Sequence, residues 1–142
     1  MNVVIETSKY SFIKYNKKGS RFVKEFLSPI PTIFNYGFIE GSLAEDGMEK
    51  DVVVIGPRMP QGTVLDVNRF HGVVKFVDDS LEDNKEIVCE GGFYSKPIFY
   101  FYFHLYATFK IVYYLILKRK LANCRFEGIV WYKQNNDVSV GI

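Results

Sequence analysis

Residues 35–55 read NYGFIEGSLAEDGMEKDVVVI, and the rest of the chain can be placed around them. An aromatic turn, a short acidic loop and a β-branched strand follow one another. Asp51–Ile55 is an aspartate followed by four branched apolar residues, the pattern of a strand covered on both faces. The loop before it sets Asp46 and Asp51 five residues apart around Gly47. A second acidic stretch, residues 78–85 (DDSLEDNK), also follows an apolar strand. The windows 40–51 and 78–86 hold ten of the 16 carboxylates, so the remainder of the chain is acid-poor. Carboxylates repel one another, and two such concentrations need a reason. Either each is a solvated turn, which composition alone favours, or the two face one another and share hard divalent cations, which take oxygen ligands.

Length and composition set the bounds. The 142 residues are most simply one domain spanning 1–142, long enough for a real core. A net charge of +2 with no dominant basic cluster gives no reason to expect nucleic acid. Cys89 and Cys124 are isolated, without CxxC spacing, which suits a reducing compartment and suggests neither zinc nor a disulfide framework. The opening MNVVIETSKY lacks the basic and long apolar regions of a signal peptide. The expected location is the cytoplasm.

Along the chain, strands are expected at 3–6, at 12–15 before a turn at 16–20, at 21–26, at 36–39, at Asp51–Ile55, at 63–68, at 70–77 and at Lys85–Cys89. Pro29 and Pro31 make 28–34 an extended loop. Many short strands at regular spacing suggest a closed barrel or sandwich. Residues 98–117, IFYFYFHLYATFKIVYYLIL, differ from everything before them. Their length permits a membrane span, and Lys118, Arg119 and Lys120 would fit a cytoplasmic flank. Lys110 near the middle is costly in hydrocarbon, and the many tyrosines suit a packed surface better than lipid. The favoured reading is a helix covering one side of a barrel, with no membrane partner and with one aromatic face against another subunit.

In order, the chain carries Glu6 at a strand end, Ile13-Lys14-Tyr15, Asn35-Tyr36-Gly37-Phe38-Ile39, and Leu43-Ala44-Glu45-Asp46-Gly47 before Asp51-Val52-Val53-Val54. Gly62-Thr63-Val64, Gly72-Val73-Val74-Lys75, Asp78-Asp79 with Asp83 and Lys85, His104 through Phe109-Lys110, and Glu127-Gly128 come after them. This ordered set resembles the family I soluble inorganic pyrophosphatases. The resemblance implies a mainly β fold, a five-stranded oligonucleotide-binding-type closed barrel with a flanking helix, and Mg2+-dependent hydrolysis of pyrophosphate to two phosphates in a homo-oligomer. Mg2+ would neutralise and orient the polyanion and acidify a bound water.

By the same resemblance, Asp46, Asp51 and Asp83 match positions that hold activating metals, with Asp51 bridging, and Asp78 with Asp83 would hold the metal arriving with substrate. Glu6 and Asp79 match secondary acidic positions. Lys14, Lys85 and Lys110 match lysines that grip phosphate, and Tyr36 a tyrosine that hydrogen-bonds to it. Taken singly, Lys14 and Lys85 would be solvated lysines, Tyr36 a core residue and Glu6 a strand-end acid. Several positions depart from the family pattern. Met48 stands where an aspartate helps activate water, and a thioether is a poor Mg2+ ligand and no base. Asn16 replaces a glutamate, Glu25 falls where an arginine is expected, Ile33 sits near an expected tyrosine, and Phe109 replaces the tyrosine before Lys110. The usual C-terminal helix is not expected after Trp131. The alternative to a working hydrolase is therefore a catalytically degraded relative that binds metal, phosphate or a protein partner.

Overall fold

The computed structural model describes residues 1–44, 47–91 and 94–133. The elements are β1 (Asn2–Thr7), β2 (Ile13–Lys18), β3 (Arg21–Leu27), β4 (Asn35–Ile39), β5 (Asp51–Ile55), β6 (Val64–Asp66), β7 (Gly72–Asp78), β8 (Leu81–Glu82), β9 (Lys85–Cys89), α1 (Lys96–Leu117) and β10 (Arg125–Trp131). The fold is mainly β with one helix, as the sequence suggests. Its main sheet pairs in the order β10-β7-β9-β5-β4-β1-β6, with β8 beside β7 and β2-β3 as a separate hairpin. All pairings are antiparallel except β5 with β9, which run parallel with Asp51 opposite Lys85.

The branched residues of β5 explain why this strand sits centrally. Val53 and Ile55 enter one apolar cluster with Tyr36, Phe76, Ile87 and the helix residues Phe99, Phe103 and Tyr106. Val52 and Val54 enter a second cluster with Val3, Ile5, Ile39 and Val88. Alternate side chains point to opposite faces, so a strand buried on both sides must be apolar throughout. Gly37 in β4 is needed for a different reason. A Cβ there would overlap the carbonyl oxygen of Val4 on β1, and β1 and β4 are paired neighbours.

Helix α1 begins at Lys96 with Pro97 in its first turn, where the missing N–H costs nothing. It buries Phe99, Tyr102, Phe103, Tyr106, Ala107 and Lys110, an i, i+3, i+4 stripe. Its opposite side is open: Phe101, Ile116 and Leu117 are each about two-thirds exposed. The sheet thus covers only one side of this apolar segment. Among the described residues no helix is long and apolar enough to cross a membrane.

Three boundaries differ from the sequence expectation. Residues 16–18 continue β2 rather than turning, and the hairpin reverses between Lys18 and Arg21. The polar residues there read as a turn, but this hairpin lies outside the main sheet and tolerates polar side chains. The strand expected at 63–68 is only Val64–Asp66. An unexpected strand, β10, pairs along β7 with a register shift between Phe126 and Gly128. Residues 134–142, on which the expectation about a C-terminal helix bears, lie outside the described residues.

Candidate active site

The parallel register of β5 and β9 builds the centre of the site. Both strands begin at the same level, so Asp51 and Lys85 are neighbours, on the face that carries Val53 and Ile87. β7 ends at Asp78, and the short β8 returns the chain so that Asp83 reaches the same place. Lys85 is 1% exposed. Its Nζ lies 2.9 Å from Asp83 Oδ2 and 3.6 Å from Asp51 Oδ2, and also donates to the Asp83 carbonyl at 3.1 Å. The solvated-turn reading of the acidic stretches therefore fails at these two residues. They converge on one buried ammonium.

The two carboxylates share this cation unequally. Burial pushes Asp51 up to about 6, with Lys85 pulling the other way. Burial also disfavours the charge on Asp83, but Lys85 and its short bond outweigh that and hold Asp83 below the usual carboxylate range. Lys85 itself is raised: burial opposes its charge, and Asp83 and Asp51 overcome it. Beside them the Tyr36 hydroxyl is buried without a hydrogen-bond partner. Burial, then Asp51 and Asp83, push this phenol well above its ordinary value.

Lys14 comes to the same face from the hairpin. Its Nζ donates to Tyr106 Oη at 3.3 Å and lies 3.6 Å from Glu25 Oε1. The ammonium also lies 4.8 Å from the Tyr36 ring centroid. Burial works against its charge, but Tyr106, Glu25, Asp51 and Asp83 together hold it well above the usual lysine range. Lys110, on the buried stripe of α1, lies 3.3 Å from Asp78 Oδ2. Asp78 also accepts from the Cys124 thiol at 3.5 Å. Asp79 pairs with Lys120 and lines one cavity with Asp78 and Asp83. Glu6 is 7% exposed and accepts the Lys17 backbone N–H at 2.7 Å. Burial pushes it up to about 7, with that hydrogen bond opposing. Neither Lys14 nor Lys85 is the solvated lysine that each would be if read alone.

Lys14, Tyr36, Asp51, Asp83 and Lys85 thus form one cluster, and Asp78 with Lys110 forms an ion pair on the adjoining strand end and helix. Asp46 lies outside the described residues. Among the described residues no three acidic, histidine or cysteine side chains are grouped as a metal site. The donor chemistry still suits a hard cation. Asp51 and Asp83 are oxygen donors whose mutual repulsion is only partly relieved by Lys85, and the neighbouring Tyr36 hydroxyl is unsatisfied. Glu49, next to Met48, accepts the Gly41 backbone N–H on its Oε2 at 2.7 Å. Sequence reasoning did not single out Tyr106. Its spacing of four from Lys110 places both on one helix face, which was the available signal.

Comparison with known proteins gives a consistent picture. The family described as inorganic pyrophosphatase matches residues 3–93. The inorganic pyrophosphatase of Haemophilus influenzae is 42% identical over 96 residues, 63% of this chain and 52% of that protein. That of Gluconobacter oxydans is 37% identical over 94 residues, 63% of this chain and 53% of that protein. The chain spans about half the length of the curated relatives it matches. Among solved structures, an inorganic pyrophosphatase from Neisseria gonorrhoeae superimposes with a TM-score of 0.71 at 26% identity, covering 92% of this chain and 82% of that one. One from Coxiella burnetii gives 0.70 at 21% identity over 94% of this chain and 85% of that one, a likeness of fold.

Proposed function

The chain belongs to the inorganic pyrophosphatase family, and from that membership we propose that it hydrolyses inorganic pyrophosphate to two phosphates with Mg2+ as cofactor. The observation that carries this reading is the convergence of Asp51 and Asp83 on the buried Lys85, beside Lys14 and the unpartnered Tyr36 hydroxyl. Asp46, Asp51 and Asp83 would hold activating cations, and Asp78 with Asp83 the cation arriving with substrate. Those cations would supply charge neutralisation and an acidified water. Lys85, held at the strand start, and Lys110, held on the helix, would bind phosphate oxygens once their carboxylate partners are drawn to cations. Tyr36 would donate its hydroxyl to a phosphate oxygen, giving a buried donor the acceptor it lacks. Glu6 and Asp79 would act at one remove through the charge they add.

The same reading takes the main sheet, whose pairing order runs from β10 to β6 without closing, as the counterpart of the family's five-stranded OB-type barrel, and residues 1–142 as one domain acting in the cytoplasm as a homo-oligomer. The open apolar side of α1 supports the last point, since so large an apolar face calls for a cover. One observation favours a second reading, a degraded relative that only binds: Met48 leaves no carboxylate at the base position, and Glu49 is engaged elsewhere. Phosphate release from pyrophosphate with Mg2+ decides between them. Turnover by the purified protein that is lost in Lys85→Met supports the hydrolase. A folded protein that binds Mg2+ and pyrophosphate but releases no phosphate sinks it.

A further inference from the structure

Two of the three lysines are paired with carboxylates from the acidic stretches: Lys85 with Asp51 and Asp83, and Lys110 with Asp78. Cations held by those carboxylates would leave the two ammoniums free for an incoming anion. Lys14 is different. Its carboxylate partner, Glu25, comes from β3, the other arm of its own hairpin, where Phe26 rather than Glu25 is its Cα partner. Nothing in the proposed cation set would draw Glu25 away. The Lys14 ammonium is also held in place by the Tyr36, Phe26 and Tyr106 rings, with centroids 4.8, 5.6 and 5.9 Å away, and by the Tyr106 hydroxyl. Aromatic faces attract a cation electrostatically. An arriving phosphate therefore has to displace Glu25 from a fixed ammonium rather than wait for a mobile one.

We propose that Glu25 is an internal anion that occupies Lys14 and sets the affinity for the substrate anion rather than the rate of the chemical step. The inference rests on the pyrophosphatase reading for the identity of that anion. Glu25 is one-third exposed on its side chain, so it can swing into solvent without being stranded, and displacement is a competition rather than a blockade. Two like charges a few ångströms apart repel, and solvent screening at the exposed carboxylate lowers this. A gain of about tenfold in affinity on neutralising Glu25 is the expectation.

The test is calorimetric titration of inorganic phosphate, which is not turned over, into wild type, Glu25→Gln, Lys14→Met and the double variant, with Mg2+ saturating in both solutions so that cation binding does not contribute. Glu25→Gln should bind about tenfold more tightly, and the gain should vanish in the Lys14→Met background. Lys14→Met alone should weaken binding, because it removes the ammonium that phosphate takes over and leaves Glu25 without its cation. With Mg2+ and pyrophosphate, Glu25→Gln should lower KM while kcat stays within about twofold. Should Glu25→Gln fold poorly, Glu25→Ala gives the same comparison. Binding by the neutral variant that is no tighter than wild type, or undetectable in both, overturns the proposal. So does a gain that survives without Lys14, which would be a general charge effect. If every variant binds as expected but none releases phosphate, the hydrolase reading fails while the role of Glu25 in binding stands.

Discussion

Replacing Lys85 with methionine keeps a long unbranched side chain in the core and removes only its charge. In the wild type that charge sits 2.9 Å from Asp83 and 3.6 Å from Asp51, on a side chain that is 2% exposed. The variant leaves two carboxylates together without a cation. Removing one partner of a buried ion pair costs about 3–5 kcal/mol. The aspartates keep side-chain exposures of 19% and 26%, so the lower end, about 3 kcal/mol, is expected at pH 8 without divalent cations. With a urea m-value of about 1.5 kcal/mol/M, the midpoint falls by roughly 2 M. The loss should shrink at pH 5. Without Lys85 both carboxyls have folded-state values raised above their unfolded ones, so the folded variant takes up protons as pH falls and regains stability. A midpoint within about 0.5 M of wild type at pH 8, or an equal loss at both pH values, would refute the buried triad as the source of strain.

Glu6, raised to about 7 mainly by burial, contributes stability that is complete below about 4.5 and lost as pH rises through about 7, on the order of 3 kcal/mol. Chemical denaturation of Glu6→Gln across that range should show a flatter profile than wild type, and parallel profiles would refute the assignment. Gly37→Ala should destabilise by about 3 kcal/mol or prevent folding, because its Cβ meets the Val4 backbone; a urea midpoint close to wild type would contradict the packing of β1 on β4. Met48→Asp should raise kcat for pyrophosphate by about tenfold or more at similar KM by restoring a carboxylate at the base position, and a folded variant no faster than wild type would place the water-activating group elsewhere.

The candidate site residues were picked out by their joint match to one family's ordered pattern, since taken singly Lys14 and Lys85 read as solvated lysines and Tyr36 as a core residue. An aspartate opening a branched strand, as at Asp51, and a lysine opening another, as at Lys85, cannot follow their apolar neighbours into the core by choice. Each has to find a partner at the sheet's rim. What sequence could not give was the pairing. β5 and β9 are separated by β6, β7 and β8, and no local pattern says that they lie side by side and parallel with Asp51 opposite Lys85. That register turns two acidic loops from solvated turns into a shared cluster. β10 escaped notice for another reason. It carries Gly128 at a positive φ of 116° and the register shift beside it, so the alternation that signals a strand is broken at its middle.

Helix α1 shows where apolar content misleads in a different way. Its sequence is apolar on all sides, and a helix of that kind reads as fully buried. The buried stripe is Phe99, Tyr102, Phe103, Tyr106, Ala107 and Lys110, and the lysine is buried because Asp78 meets it there. The central charge that argues against a lipid setting is thus the same charge that fastens the helix to the site. Its outer residues, Phe101 and Ile116 among them, gain nothing from the chain's own fold. Their exposure is what the proposed homo-oligomer would have to cover. Helical periodicity can identify an apolar stripe, but a second apolar stripe gives no indication of whether the partner is the same polypeptide.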